Sequence, residues 1–95
     1  MSDADPFAKF RELLEKEHQF PLQYVHKIIG KNSPIFLQSI AEFENKHIGL
    51  KRVGERTSAS GNHLALTYEY LAGTPDDVIE LQKETQKIND LIYII

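Results

Sequence analysis

One stretch, residues 20–34 with the sequence FPLQYVHKIIGKNSP, constrains the fold more than any other part of the chain. Apolar residues occur on both faces that a strand would have here, which is typical of a strand in the middle of a sheet. The run ends at Gly30. Ser33-Pro34 follows and is a helix start: serine accepts a hydrogen bond from an unpaired backbone N–H, and proline lacks a donor that would be unused there. The stretch therefore predicts a strand that turns directly into a helix.

The same start signal occurs three times. A side chain that can cap a helix precedes proline at Asp5-Pro6, Ser33-Pro34 and Thr74-Pro75. Helical spacing of apolar residues after each pair predicts helices over residues 6–17 and 34–46, and a last one from residue 75 to a stop at Asn89-Asp90. The first helix is amphipathic and either docks on the domain or packs on a partner.

Four segments are predicted to be strands: residues 21–29, 50–56, 63–71 and 91–95. The third alternates cleanly, with Leu64, Leu66, Tyr68 and Tyr70 on one face. The polar run of residues 57–62 between the second and third strands is predicted to be a flexible hairpin connection.

The predicted order is α–β–α–β–β–α–β. Without its first helix, this is the βαββαβ order of ferredoxin-like folds, an α+β class. We expect one domain over residues 1–95, with an N-terminal helix (6–17) ahead of a core (20–95). The fold places strand one beside strand three, strands two and four at the edges, and both main helices on one sheet face. The opposite face must be polar, covered by the first helix, or used in association.

Composition excludes several classes of function. The chain has a net charge of −3, which argues against a nucleic-acid module, and it contains no cysteine, which rules out disulfides and thiolate ligands. No apolar run could span a membrane, and the acidic N-terminus lacks the features of a secretory signal, so we expect a cytoplasmic protein. Basic residues cluster at Lys46, Lys51, Arg52 and Arg56, whereas acidic residues dominate the last helix, a pattern that solvated surface charge explains.

Two short runs are candidate ligand sites. Gly30, Lys31, Asn32 and Ser33 join a strand to a helix N-terminus, where free N–H groups and a lysine suit an anion. The spacing matches no nucleotide-binding motif, and an ordinary capped turn also explains the run. Gly61, Asn62 and His63 form the secondary candidate, which turn chemistry explains equally well.

No catalytic or metal site is evident. The four histidines show no metal-binding spacing, so we predict no metal and no cofactor. His26 is predicted to be a packed, hydrogen-bonded side chain. Tyr24, Tyr68 and Tyr70 fall on positions predicted to be core, which leaves no stacking platform for RNA.

These residues resemble the YbeD-like family of small bacterial domains. The resemblance covers roughly residues 20–95 and depends on the strand ending with Lys27 and Gly30, and on Ser58, Gly61 and Asn62 in the hairpin. It implies a ferredoxin-like fold related to ACT regulatory domains, without catalytic residues.

Together these features predict a regulatory or binding domain that is not an enzyme. Its partner is either a small ligand at the Gly30 connection or a protein bound through the open sheet face or the first helix. Two alternatives are a structural module that assembles as a homodimer without ligand and, more remotely, an RNA-binding domain.

Overall fold

The structure of the protein is a computed structural model that describes residues 5–95. It contains three helices, α1 (Ala8–Glu17), α2 (Pro34–Lys46) and α3 (Pro75–Thr85), and four strands, β1 (Leu22–Lys31), β2 (Leu50–Thr57), β3 (His63–Ala72) and β4 (Leu91–Ile94). Residues 1–4, which the sequence places in the single domain, lie outside the described residues.

The strands form one antiparallel sheet in the order β2-β3-β1-β4. Strands β1 and β3 are central and pair along their whole length, from Leu22 opposite Ala72 to Lys31 opposite His63. Strands β2 and β4 are the edges, and each contains one irregularity in its pairing. The predicted ferredoxin-like fold with an extra N-terminal helix is confirmed.

The main core lies between the sheet and the helices α2 and α3. Strand side chains such as Ile28 and Leu66 pack there against Phe36 of α2 and Leu81 of α3. These side chains are at most 1% exposed, so their burial removes apolar area from water and stabilises the fold.

Helix α1 extends this core instead of covering the opposite sheet face. Its Leu14 packs in a second cluster with Ala72 of β3 and with Val78 and Ile79 of α3. Arg11 forms ion pairs with Asp5 and with Asp76 at the start of α3. All three helices therefore lie on one side of the sheet.

Two predicted helix boundaries were wrong. Helix α1 begins at Ala8 and not at residue 6, because Asp5 accepts the N–H of Phe7 in a turn that precedes the helix. Helix α3 ends at Thr85, because the N–H groups of Lys87 and Ile88 bond to carbonyls three residues back and tighten the chain.

Candidate functional site

The two runs proposed from sequence as ligand sites meet in the structure. The backbone N–H of Asn32 donates to the carbonyl of Asn62 over 2.9 Å. The side-chain amide of Asn32 donates to the carbonyl of Gly61, also over 2.9 Å. Lys31 pairs directly with His63 at the end of the β1–β3 ladder. The β1–α2 connection and the β2–β3 hairpin thus form one corner of the molecule.

The helix N-terminus at this corner is already occupied by a carboxylate. The hydroxyl of Ser33 accepts the N–H of Phe36 over 3.1 Å and donates to Oδ2 of Asp90 over 2.7 Å. The carbonyl of Asp90 also accepts the N–H of Lys31 over 3.0 Å. Asp90 therefore places a carboxylate beside the positive end of α2, next to the position where an anionic ligand would be expected to bind.

Gly30 has a packing role in this corner. A Cβ atom added to it would lie 2.2 Å from Cε1 of Phe36, far inside van der Waals contact. The ring of Phe36 covers the end of β1 because no side chain is present there. The glycine is thus explained by the core and needs no ligand.

His26 is buried in the core and does not contribute to a surface site. It is 0% exposed, and its Nε2 lies 2.9 Å from Oγ1 of Thr85. The Thr85 hydroxyl donates its proton to the carbonyl of Leu81 over 2.6 Å, so it must accept the bond from His26. Nε2 then carries the proton, and Nδ1 is buried without a hydrogen-bond partner among residues 5–95. Burial lowers the pKa of His26 to about 4. The sequence-based interpretation of a packed, hydrogen-bonded histidine is confirmed.

The three tyrosines of the central strands face the helices, as predicted. Tyr68 is 0% exposed and donates its hydroxyl proton to Oε2 of Glu44 over 2.7 Å. Burial, together with this bond, raises the pKa of Tyr68. Tyr24 and Tyr70 pack against both core clusters. None of these rings is presented on the outer sheet face for base stacking.

The opposite face of the sheet carries no helix. We call it the open face. Because strand side chains alternate, its members follow from the register: they are Gln23, Val25, Lys27, Ile29, Lys31, Lys51, Gly54, Arg56, His63, Ala65, Thr67, Glu69, Leu71 and Tyr93. One row runs across all four strands and joins Arg56, Ala65, Ile29 and Tyr93.

Apolar side chains are exposed on this face. Val25 is 53% exposed, Tyr93 54% and Leu71 63%. Val25 and Leu71 are diagonal neighbours, since Val25 pairs with Glu69 two residues before Leu71. Ile29, which is half-buried, lies directly between Ala65 and Tyr93.

Cations accompany these apolar side chains. Four cations of this face are exposed: Lys27, Lys31, Lys51 and Arg56. They occupy four successive rows of residues paired across the strands, with one cation in each row. Five of the seven cations elsewhere form ion pairs within residues 5–95, namely Arg11, Lys16, Lys46, Arg52 and Lys87. None of the four cations of the open face forms an ion pair with a residue in that range.

A second surface feature is a groove of about 450 Å³ between α2 and α3. Phe43 and Ile88 line it, and Glu84 bridges Lys46 and Lys87 along it. Those two hydrogen bonds lower the pKa of Glu84 to about 2. Three of the charged groups of the groove are therefore paired with each other, and Glu42, which also lines it, forms no ion pair within residues 5–95.

No helix within residues 5–95 is long and apolar enough to cross a membrane. In the same range, no cluster of three or more histidine, cysteine, aspartate or glutamate side chains could hold a metal ion.

Sequence reasoning missed the role of Asp90, which it used only as a helix stop. Asp90 has a φ of 63°, a backbone conformation that aspartate adopts more readily than most residues. The Asn-Asp pair signalled a turn. The contact between Asp90 and Ser33 joins residues 57 positions apart, so no local sequence pattern indicates it.

The element order, the strand order and the single helical layer define a ferredoxin-like α+β domain with an added N-terminal helix. Residues 15–95 match the family model described as protein of unknown function (DUF493), and the chain belongs to that family. No curated protein matches the chain.

One solved structure has a similar fold. It is the solution structure of the C-terminal domain of the MgtC protein from Mycobacterium tuberculosis, with a TM-score of 0.51 and 18% sequence identity. The alignment covers 82% of this chain and 88% of that one. At this identity the similarity shows a shared fold and nothing about shared function.

Proposed function

We propose that the protein is a binding domain without catalytic activity, which uses the open face of its sheet to bind a protein partner in the cytoplasm. The observation that carries this proposal is the position of the three helices, which all cover the same side of the sheet. Val25, Leu71 and Tyr93 are consequently left exposed on a surface that spans four strands. The YbeD-like, ACT-related resemblance supports a regulatory setting for such a domain.

Exposed apolar side chains spread over a sheet face are suited to binding a macromolecule. A partner that covers Val25 and Leu71 removes apolar area from water, which stabilises a complex by roughly 25 cal/mol per Å² before the entropic cost of association. A small ligand would gain little there, because ligand sites are typically concave and enclose most of the ligand.

The ligand site predicted at Gly30, Lys31, Asn32 and Ser33 is the weaker proposal. The N–H groups of Asn32 and Ser33 already bond to backbone carbonyls, and the Asp90 carboxylate lies at the helix start. An anion bound there would be repelled by that carboxylate. We therefore favour a partner on the open face.

A homodimer is also less favoured. Edge strand β2 carries the charged residues Lys51, Arg52, Glu55 and Arg56 and a bulge between Arg52 and Gly54, features that oppose edge-to-edge pairing. Strand β4 has only four residues. Stacking two open faces would bring like charges together.

The proposal can be tested by placing a photo-crosslinking amino acid at single positions of the protein in the cells that produce it. Val25 and Leu71 report on the open face. Leu37 on α2 and Leu13 on α1 are matched controls, because they are 48% and 56% exposed on the helical side. We expect discrete adducts of one other protein from positions 25 and 71, and none from positions 13 and 37.

Equal labelling at all four positions, or labelling from the helical positions alone, would refute the open face as the binding surface. Adducts with twice the mass of the chain at positions 25 and 71 would show self-association through that face. They would replace this proposal with the homodimer.

A further inference from the structure

We infer that the segment bound by the open face is an acidic polypeptide that also carries aliphatic side chains. This inference rests on the proposed function and adds the chemistry of the partner. It follows from the way charge is distributed over the molecule.

The open face is basic although the chain is acidic. It carries four cations, Lys27, Lys31, Lys51 and Arg56, and one carboxylate, Glu69, which gives it a net charge of +3. The chain as a whole has a net charge of −3, so the rest of the molecule carries −6. A surface with this contrast attracts negatively charged partners and orients them before contact.

The four cations of the open face can form ion pairs with a partner. Five of the seven cations elsewhere form ion pairs with carboxylates within residues 5–95, and Lys9 and Lys83 do not, whereas all four on the open face are without an ion pair in that range. A carboxylate from a partner would therefore meet a lysine or arginine without first displacing an existing partner. Exposed pairs of this kind are individually weak, so the apolar contacts must contribute as well.

The spacing of the cations suits an elongated segment. Lys27 and Lys31 lie on β1, and Lys51 and Arg56 lie on β2, with β3 between the two strands. The two lines of charge are therefore roughly 10 Å apart, twice the distance between neighbouring strands. The four rows that carry them span roughly 20 Å along the sheet.

A polypeptide fits this face better than a nucleic acid. The tyrosines of β1 and β3 point into the core, which leaves Tyr93 of β4 and His63 of β3 as the aromatic rings among the open-face residues named above. These two rings lie on strands separated by β1, whereas single-strand binding surfaces stack successive bases on several aromatic side chains. Val25, Ile29 and Leu71 instead suit aliphatic side chains.

The test measures binding of a fluorescein-labelled peptide, rich in glutamate and interspersed with leucine, by fluorescence anisotropy with the complete chain. The variant Lys27→Gln/Lys51→Gln removes two charges from the open face. The control Lys9→Gln/Lys16→Gln removes two charges from α1. We expect about a fivefold rise in Kd for the first variant, as for two exposed ion pairs, and no change for the control.

The remaining arms use a single-stranded oligonucleotide and vesicles containing anionic lipid. If the oligonucleotide or the vesicles bound more tightly than the peptide, and if the Lys27→Gln/Lys51→Gln variant weakened that binding, the partner would be a nucleic acid or a membrane and not a polypeptide. Peptide binding that both variants weaken equally would remove the open face as its location. If the peptide did not bind but crosslinks still formed from Val25, the partner would not be acidic. The proposed function, binding of a protein by the open face, would remain.

Discussion

Lowering the pH should destabilise the fold through one buried side chain, His26. This imidazole is 0% exposed, its Nε2 proton is committed to Thr85, and its Nδ1 has no partner within residues 5–95. A second proton would have to enter at Nδ1 and place a charge in the core without an acceptor. Acidification therefore disfavours the folded state at this side chain.

The size of the effect follows from the pKa of His26 in the two states. Burial lowers it from 6.5 to about 4 in the folded protein. Because the unfolded state binds the proton more tightly, full stability is present above about pH 6.5 and is lost as the pH falls toward 4. The free energy of unfolding should fall by about 2 kcal/mol between pH 7 and pH 5.

The assay is urea unfolding monitored by circular dichroism at pH 7 and pH 5, on the wild type and on His26→Leu. Carboxylates also begin to titrate in this range, so the difference between the two proteins isolates His26. His63→Gln is the matched control, because His63 is exposed at the start of β3. We expect the wild type and His63→Gln to lose stability in parallel, and His26→Leu to lose about 2 kcal/mol less.

Equal pH dependence in the wild type and in His26→Leu would refute this reasoning. It would mean that His26 finds an acceptor when protonated, or that the core admits water beside Nδ1. The midpoint of thermal unfolding provides a second reading, since about 2 kcal/mol corresponds to roughly 8–16 °C in a domain of this size.

Three further predictions concern the local structure, each measured by chemical denaturation. Gly30→Ala should cost about 1–3 kcal/mol of unfolding free energy because its Cβ overlaps the Phe36 ring; Phe36→Leu in the same chain should recover part of this loss, and simple additivity would contradict the clash. Asp90→Ala should cost about 1–2 kcal/mol more than Asp90→Gly, since both lose the carboxylate but only alanine is strained at a φ of 63°; equal losses would argue against backbone strain. Thr74→Ala should cost about 0.5–2 kcal/mol because Thr74 and Asp77 form a reciprocal capping box at α3; an unchanged stability would show that the box contributes nothing.

Local signals explain why so much of the fold could be predicted from the sequence. The Ser33-Pro34 and Thr74-Pro75 pairs mark the exact starts of α2 and α3, because capping is decided within three residues. The alternation in β3 likewise identified its buried face correctly, from Leu64 to Tyr70. With the element order known, the ferredoxin-like sheet followed.

The chemistry of the open face could not be predicted, because it depends on a bulge. Lys51 and Arg56 are five positions apart and would face opposite sides of a regular strand. The irregularity between Arg52 and Gly54 shifts the pairing by one residue and brings both onto the open face. Arg52 points the other way and binds Glu44 of α2. The cluster of basic residues in the sequence thus divides between two surfaces.

The candidate corner was only partly predictable for a similar reason. Gly30 and Ser33 signalled a turn into a helix, and Gly61 and Asn62 signalled a hairpin. Their meeting depends on the antiparallel pairing of β1 with β3, which places Lys31 beside His63. Asp90 belongs to a third segment, and its carboxylate lies beside the helix start where the sequence predicted an anionic ligand.

The most direct test of the central claim is the methyl NMR spectrum of the protein as the acidic, leucine-containing peptide is added. Methyl groups distinguish the two faces of the sheet, which backbone amides do not. The account predicts shifts for Val25, Ile29 and Leu71, with Ile35 and Leu37 of α2 unchanged. Shifts centred on Ile35 and Leu37, with the methyl groups of the open face unmoved, would contradict it.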